Sequence, residues 1–460
     1  MFVMYGRGRF YGVLLATITA SFISPFTTSS ITVALPILAE EFSVSLAEVN
    51  WVVNVYLISL ASTILVFGVI GDWLGRSRIF IAGIVMFAIT SSIMVIVHDY
   101  LSLLVFRLLQ GLAASMISST AVAILSELLP IERRGMGIGL NTMAVYIGLT
   151  LGPLIGGYIT NYFGWRTLFI LKAFIAFLSL SLAITLPKTS RGISVKPNFK
   201  ISALIVSSII MIIYGTSNIN SPYGVIMASL GFIALTSTLI VERRSPKLIH
   251  PMILRRKPLS ANISALLNYS ATYALTILLS SYLQKLRGLN PSEAGLILTT
   301  QSIFQAALSP ITGLLADKYN PSILASMGMF TITFGIIGLT QINPTTPINQ
   351  IIYTLIILGV GFAFFSSPNT TAIMNMSPKE AYGSTSALLA TMRFLGQAIS
   401  TSITTSIMNI QGDLMTTIKT SMAIYAILSI LGALLSLTAG MEKPRKLFKN
   451  QSNCTNTAQT

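Results

Sequence analysis

Long apolar segments recur along almost the whole chain, and they constrain its fold more than any other feature. A helix needs about 20 mostly apolar residues to cross the hydrocarbon core of a bilayer. Hydrophobic residues make up 53% of the chain and charged residues only 9%, against about 25% charged residues in soluble domains. The sequence therefore predicts an all-α, multi-pass protein of the plasma membrane and excludes a cytosolic enzyme. Fourteen spanning helices are predicted near residues 11–36, 47–70, 79–97, 101–126, 137–160, 166–187, 200–218, 223–241, 259–284, 293–316, 322–341, 349–374, 385–410 and 418–440.

The positive charges follow the positions of these segments. With both termini inside, the predicted cytoplasmic segments hold 22 of the 29 lysines and arginines, and four lie outside. Lysine and arginine concentrate in the cytoplasmic loops of membrane proteins. The distribution supports an even number of helices and cytoplasmic termini. It also explains the net charge of +16 without a nucleic-acid partner.

A repeat with an offset of 245 residues divides the chain into two halves. The matched pairs are Gly68 with Gly313, Asp72 with Asp317, and Gly75 with Asn320, the last pair being residue types that tolerate left-handed backbone angles in a turn. Parallel repeats are a known transporter plan, with the substrate site between the halves. The predicted parts are an N-terminal six-helix bundle at 1–187, a central linker with two extra helices at 188–258, a C-terminal six-helix bundle at 259–441 and a cytoplasmic tail at 442–460. No substrate contacts are expected from 200–241.

Three motifs on successive elements resemble those of a known family. The loop after the second helix contains Gly68, Asp72, Gly75, Arg76 and Arg78; the fourth helix contains Arg107, Gln110 and Gly111; the fifth contains Gly148, Gly152, Pro153, Gly156 and Gly157. In this order and on these helices, the motifs resemble the major facilitator superfamily. The glycine–proline motif and the helix count resemble its fourteen-helix drug:proton antiporter branch. The resemblance covers essentially the whole chain, and it implies export.

The first motif predicts a gate. A carboxylate at Asp72 can accept charge-assisted hydrogen bonds from neighbouring cations such as Arg76 and Arg78 and from helix N-termini. We expect this cluster to hold the two halves together while the outside is open. Asp317 and Lys318 are expected to act similarly and more weakly in the second half. A plain anchor for the loop is the alternative.

Three cations are predicted within helices. A charge inside a membrane is costly unless it is paired or hydrated, so Arg107 is expected to face the interior, on one helix face with Gln110. Proton coupling or substrate contact is its predicted role, with structural hydrogen bonding to backbone, or snorkelling, as the alternative. Arg393, at the 245-residue offset from Gly148, is expected to reach the cavity or the cytoplasmic interface. Lys172 is expected to snorkel to water.

The glycines of the third motif form a smooth stripe along the fifth helix. Gly148, Gly152 and Gly156 lie four residues apart, and such stripes let helices approach closely. With Pro153 and Gly157 the stripe predicts a sealing and rocking contact between the halves. Packing alone is a compatible explanation.

Thr27 occupies the position that the antiporter branch usually fills with an aspartate. All 13 acidic residues fall in predicted loops or at helix ends, so no carboxylate is expected at mid-membrane. Proton coupling generally needs a titratable buried group, so the coupling ion stays open. The substrate is expected to be neutral-amphipathic or anionic. Polar cavity candidates, each with interhelical hydrogen bonding as the alternative, are Thr27, Asn54, Tyr146, Asn268, Tyr269, Tyr273, Gln301 and Gln305.

The sequence thus predicts a secondary transporter that exports small amphipathic compounds by alternating access, driven by an ion gradient, with protons as the first candidate. One cysteine, Cys454, and two distant histidines predict no metal site, and no P-loop signature points to ATP. No cofactor is expected. The expected partners are a small-molecule substrate, the coupling ion and the lipid bilayer, with the chain as a monomer. Uptake or flipping of an anionic metabolite or lipid stays open, as does a transporter-like membrane sensor.

Overall fold

The computed structural model describes residues 7–129, 131–187, 198–244, 255–377 and 382–440. These residues contain fourteen helices of 18 residues or more, as many as the predicted spans. That all fourteen cross the membrane stays a prediction. A short turn at Leu46–Val49 precedes α2, and a π-helical turn at Tyr282–Leu286 ends α9. The predicted tail at 442–460 lies outside the described residues. The helices are α1 Arg7–Glu41, α2 Trp51–Leu74, α3 Arg76–Met94, α4 Tyr100–Leu128, α5 Ile131–Phe163, α6 Arg166–Ala183, α7 Phe199–Ser217, α8 Pro222–Arg244, α9 Arg256–Ser281, α10 Pro291–Lys318, α11 Pro321–Thr340, α12 Ile348–Asn375, α13 Tyr382–Gln411 and α14 Leu414–Gly440.

Twelve of these helices are long and apolar enough to cross a membrane, and α10 and α13 are not among the twelve. Both carry many polar side chains that are buried in the bundle, including Gln305 in α10 and Ser400, Thr401 and Thr404 in α13. Polar groups in membrane proteins are kept away from lipid and face the bundle interior. The low hydropathy of α10 and α13 therefore reflects their position between the two halves.

Equivalent close contacts between helices occur inside each half. Gly111 in α4 lies against the backbone of Tyr56 in α2, and Gly359 in α12 lies against the backbone of Gln301 in α10. Tyr56 and Gln301 are separated by 245 residues, whereas Gly111 and Gly359 are separated by 248. The same pairs of helices thus meet in both halves, and the offset of the repeat grows by three residues along the chain.

Because the offset is 248 residues in this region, Arg393 is not the structural counterpart of Gly148. Gly148 in α5 lies against the backbone of Phe22 in α1, and Gly396 in α13 lies against the backbone of Leu266 in α9. Gly396 is 248 residues after Gly148. The structural counterpart of Gly148 is therefore Gly396, and Arg393 lies almost one turn earlier on α13.

The central pair α7 and α8 lies at the periphery of the bundle. α7 packs against α2 of the first half and α13 of the second, and the rings of Trp51 and Tyr214 approach to 5.9 Å. α8 packs against α7 and leaves large apolar side chains such as Phe232 and Ile233 exposed. The pair therefore covers one seam between the halves and offers an apolar face to lipid.

The two ends of the bundle differ in charge. One end, called the basic end below, includes Arg76, Arg78, Lys200, Arg255, Arg256, Lys257 and Lys318. The opposite, acidic end includes Glu40, Glu41, Glu48, Asp99, Glu293 and Asp413. The start of α1 and the end of α14 both lie at the basic end, where the Asn320 amide donates to the Gly440 carbonyl at 2.8 Å.

Candidate functional site

At the acidic end the two halves meet through their backbones. Gly157 in α5 lies against the carbonyl group of Pro291, and Gly295 in α10 lies against the carbonyl group of Pro153. A Cβ atom added to either glycine would come closer than 3.0 Å to backbone atoms of the other half. Residues without side chains permit this approach. The contact between α5 and α10 therefore closes the acidic end along one side.

The π-helical turn after α9 supplies a second set of contacts at this end. The Gln284 amide donates to the Val33 carbonyl of α1 at 2.9 Å, and the Lys285 ammonium lies 3.7 Å from the Glu40 carboxylate. A π turn inserts an extra residue into a helix and is often found at functional sites. Both Gln284 and Lys285 belong to that turn, and both contact residues of the first half.

Two cavities lie between the halves. The larger has a volume of about 170 Å³ and is lined by α1, α4 and α5 of the first half and α9, α12 and α13 of the second. Its α4 and α12 residues, within 118–123 and 365–374, belong to the parts of those helices nearer the basic end. The smaller cavity, of about 70 Å³, is lined by residues including Tyr273, Gln301 and Gln305, and Tyr269 lines both. The site is therefore closed at the acidic end and hollow towards the basic end.

The larger cavity has a mixed polar and apolar lining, and the described residues of that lining include one cation and no acidic residue. The cation is Arg393, whose guanidinium carbon lies 4.7 Å from the centre of the Phe394 ring. The Tyr146 hydroxyl is hydrogen-bonded to the Ser366 hydroxyl, which joins α5 to α12 across the cavity. Asn141 is buried, and its side-chain oxygen has no hydrogen-bond partner in the described residues.

Six of the predicted polar candidates line a cavity, namely Tyr146, Tyr269, Tyr273, Gln301, Gln305 and Arg393. Thr27, Asn54 and Asn268 are buried and line neither cavity. The Asn54 amide lies 3.4 Å from the Thr405 hydroxyl across the halves. The Thr27 hydroxyl and both amide atoms of Asn268 have no hydrogen-bond partner within the described ranges.

Arg107 lies in the interior of the first half and lines neither cavity. Its Nε donates to the Val52 carbonyl at 2.8 Å, one terminal nitrogen donates to Gln110 at 2.6 Å, and the guanidinium lies 4.4 Å from the Tyr56 ring centre. Gln110 in turn donates to Ser91 at 2.8 Å. These contacts match the structural alternative for Arg107. Its predicted role in proton coupling or substrate contact stays a prediction.

Lys172 is buried, with 1% of its surface exposed, so the prediction that it snorkels was wrong. Its ammonium lies 4.5 Å from the centre of the Phe169 ring and has no hydrogen-bond partner in the described part of the chain. The reason is the packing of α6, which turns this face against α1 and α3 rather than towards lipid.

The gate motif forms a charged cluster within the first half. Arg76 bonds Asp72 at 2.7 Å and Glu127 at 3.2 Å, which ties together the ends of α2, α3 and α4. Gly75 supplies the turn with a φ of 106°, a value that favours glycine. Arg78 is exposed. No described residue of the second half pairs with this cluster.

The repeated motif differs in the second half. Asp317 and Lys318 are exposed, and neither forms an ion pair with any residue that the structure describes. Asn320, the match of Gly75, has a φ of −64° and not the left-handed angle that its residue type permits. It instead caps α11 by accepting a hydrogen bond from the Ser322 backbone at 3.0 Å.

The glycine motif divides its contacts between the two halves. Gly148, Gly152 and Gly156 all face α1 within the first half, and a Cβ on Gly156 would lie 2.6 Å from the Ser30 carbonyl. In this motif only Gly157 and the Pro153 carbonyl reach α10. The stripe is therefore mainly a packing surface inside one half, and its last turn forms the contact between halves.

Two carboxylates at the acidic end are held ionised by helix capping. The Ser102 backbone donates to Asp99 at 2.7 Å, and the Thr416 backbone donates to Asp413 at the same distance. These hydrogen bonds lower the pKa of Asp99 and of Asp413 below the ordinary range for aspartate. Neither carboxyl therefore titrates near neutral pH.

Sequence reasoning missed several polar residues of the larger cavity, among them Asn141, Ser366, Asn369 and Thr370. A usable signal is present in α12. Ser366, Asn369 and Thr370 are spaced by three and four residues, so they share one helix face in an otherwise apolar segment. Polar residues at helical spacing within a predicted span indicate an interior surface.

The fold and the cavity between its halves define a helical membrane transporter. Residues 17–249 and 261–453 match the family model described as Major Facilitator Superfamily, and the chain belongs to this superfamily. It is a secondary transporter and a multi-pass protein of the cell membrane, and not an enzyme.

Characterised relatives cover most of the chain. It is 29% identical over 404 residues to the riboflavin transporter RibZ of Clostridioides difficile, which spans 86% of this chain and 87% of that protein. It is 25% identical to the tetracenomycin C resistance and export protein of Streptomyces glaucescens, over 86% of this chain and 76% of that protein. It is also 25% identical to the multidrug resistance protein Stp of Mycobacterium tuberculosis, over 82% and 72%.

Solved structures share the fold at low identity. A D-xylose-proton symporter superposes with a TM-score of 0.70 at 14% identity, covering 93% of this chain and 97% of that one. A peptide transporter in complex with sulfate superposes with a TM-score of 0.71 at 16% identity, covering 93% and 95%.

Proposed function

We propose that this protein is an exporter of small amphipathic compounds that works by alternating access and uses an ion gradient, with protons as the first candidate. It acts as a monomer with fourteen membrane spans, in the drug:proton antiporter branch of the superfamily. The basic end and both termini face the cytoplasm.

The arrangement of the cavities carries this proposal. The larger cavity lies between the halves towards the basic end, while backbone contacts between α5 and α10 close the acidic end. The basic end is cytoplasmic by the preference of lysine and arginine for that side. In this state the site exchanges small molecules with the cytoplasm, as the loading step of an exporter requires.

The names of the relatives support export. The names of two relatives contain the word resistance, and one of these two names also contains the word export. The glycine–proline motif supports the antiporter branch, because its last turn forms the backbone contact at the acidic end. That contact must break and re-form in each cycle if the site is to open to the outside.

Proton coupling needs a group other than a cavity carboxylate. No acidic residue in the described part of the chain lines either cavity, and Asp99 and Asp413 are held ionised at the acidic end. A substrate that itself gains or loses a proton satisfies the coupling without one. Sodium is the other coupling ion to test.

Efflux of two dyes from cells tests the proposal. Cells with and without the protein are loaded with Nile red, which is uncharged, or fluorescein, which is anionic, and dye loss is followed by fluorescence. We expect faster loss of at least one dye from cells with the protein, and slowing by a protonophore. Faster dye accumulation in those cells would contradict export, and slowing by a sodium ionophore alone would contradict proton coupling.

Uptake or flipping of an anionic metabolite or lipid is the second candidate. The observation that favours it is the position of Arg393, which is the one cation among the described residues of the lining, where no acidic residue is found. The dye assay separates the two candidates by direction, because an uptake system speeds the accumulation of fluorescein and not its loss.

A further inference from the structure

We infer that the larger cavity is a binding site for aromatic organic anions, with Arg393 as the residue that holds the anionic group. This inference names the substrate class of the proposed transporter, and it therefore rests on the proposed function. Of the two expected substrate classes, neutral-amphipathic and anionic, it selects the anionic class.

The charge of the larger cavity favours an anionic ligand. Arg393 supplies a positive charge, and no carboxylate among the described residues lines the cavity to neutralise it. Bringing a cation into the cavity would place two like charges close together, which is unfavourable. A neutral ligand would displace water from Arg393 and leave the guanidinium unpaired, which is costly. Only an anion removes both penalties.

The contacts of Arg393 leave its guanidinium available to bind an anionic group. Its guanidinium lies against the Phe394 ring at 4.7 Å, and it forms no ion pair with any described residue. Stacking on a ring holds the plane of a guanidinium while leaving its N–H groups free at the edge. A planar fork of this kind matches a carboxylate, a sulfonate or a phosphate.

The rest of the lining selects the body of the ligand. Tyr146, Tyr269 and Phe365 supply aromatic walls on both halves. Aromatic rings in a pocket favour planar aromatic ligands through stacking and edge contacts. The unpartnered side-chain oxygen of buried Asn141 is an acceptor that awaits a donor. The ligand therefore combines an anionic group, an aromatic ring system and a hydroxyl or N–H donor.

Tyr269 also connects this site to the centre of the molecule. It lines both cavities, and its ring lies 5.9 Å from that of Phe362, which lines the smaller one. A ring system too large for the first cavity can extend past Tyr269 towards the second. Transfer between the two cavities thus follows an aromatic surface.

Two dyes of opposite charge test the inference on the purified full-length protein. Fluorescein is anionic and rhodamine 6G is cationic, and both contain the xanthene ring system, so they present the same aromatic rings with opposite charge. Binding is measured by fluorescence anisotropy in detergent. We expect fluorescein to bind the wild type at least 10-fold more tightly than rhodamine 6G. Equal binding of both dyes, or tighter binding of rhodamine 6G, would overturn the inference.

Substitutions at Arg393 locate the effect. A hydrogen bond to a charged group contributes about 1.5–3 kcal/mol, so Arg393→Gln should weaken fluorescein binding by about 10- to 150-fold. Arg256→Gln is the matched control, because Arg256 is exposed at the same end and lines neither cavity. It should leave binding unchanged. Unchanged fluorescein binding in Arg393→Gln, or an equal loss in both variants, would overturn the assignment.

Two further measurements keep the inference testable. If Arg393→Gln elutes as aggregate, Arg393→Lys decides, because lysine keeps the charge and loses the fork, and a loss of about 3- to 10-fold is expected. The same preparations in liposomes show the direction of dye movement. Inward movement with charge-selective binding would refute export and leave the anion site, whereas export without charge selectivity would refute the anion site alone.

Discussion

Replacing Gly157 by alanine should open the acidic end. The added Cβ would approach the Pro291 carbonyl more closely than real Cβ atoms do, and the neighbour is backbone, which cannot rotate away. α5 and α10 must therefore move apart wherever this end is closed. Overpacking of this kind costs about 1–3 kcal/mol. Because the closed state alone bears this cost, the ratio of open to closed molecules should rise by about 5- to 150-fold.

A single cysteine at Val33 reports on this equilibrium. Val33 is fully buried, and its carbonyl accepts the hydrogen bond from Gln284 across the halves. Cys454 is the one native cysteine, so Cys454→Ser provides a background free of other thiols. A membrane-impermeant maleimide added outside the cells should label Val33→Cys slowly. Its rate should rise with Gly157→Ala by the factor given above.

Gly156→Ala is the matched control. Gly156 is the adjacent residue, but it packs against Ser30 within the same half. Its substitution should lower the melting temperature without raising the labelling rate of the reporter cysteine. Equal labelling rates in Gly157→Ala and the parent protein, with both folded, would refute the claim that this backbone contact closes the acidic end.

Three further predictions follow from side chains outside the cavities. Glu40→Gln or Lys285→Gln should raise labelling of the reporter cysteine by no more than about 5-fold, because an exposed ion pair contributes about 1 kcal/mol or less; a larger effect would mean that charge, and not packing, closes this end. Lys172→Met should raise the melting temperature in detergent by removing a buried ammonium that lacks a hydrogen-bond partner, a gain of about 1 kcal/mol or more; a lower melting temperature would show that the ammonium is stabilised. Single cysteines at Leu289 and Lys318, before and at the end of α10, should react from opposite sides of the membrane; labelling of both from outside intact cells would show that α10 does not span it.

The architecture could be predicted from the sequence because it depends on local patterns. Apolar runs predicted the positions of fourteen helices, twelve of which are long and apolar enough to cross a membrane. The repeat of Asp72 as Asp317 predicted two similar halves. Both patterns are set by the membrane and by gene-level duplication, and neither requires knowledge of how side chains pack. The residue-by-residue register was harder, since three extra residues shift the match of Gly148 from Arg393 to Gly396.

The cavity was predicted less well because helix orientation is not local. Arg107 and Arg393 are both arginines within predicted spans, yet one is bonded inside the first half and the other lines the cavity. The prediction that Lys172 reaches water was wrong, because the distance of a residue from the end of α6 does not determine which side of the helix it lies on. Rotation is fixed by packing against neighbouring helices, which a single segment does not encode.

The seal at the acidic end has a consequence for how such a chain can diverge. Gly157 and Gly295 bring backbone against backbone, so the contact does not depend on the identity of any side chain beyond these glycines. Neither glycine lines a cavity, and Pro153, which lines the smaller one, contributes its backbone carbonyl to the contact. Mutations can therefore replace the cavity surface, one residue at a time, while the closing contact keeps its shape. Relatives that transport different substrates can therefore share the same closing contact between α5 and α10.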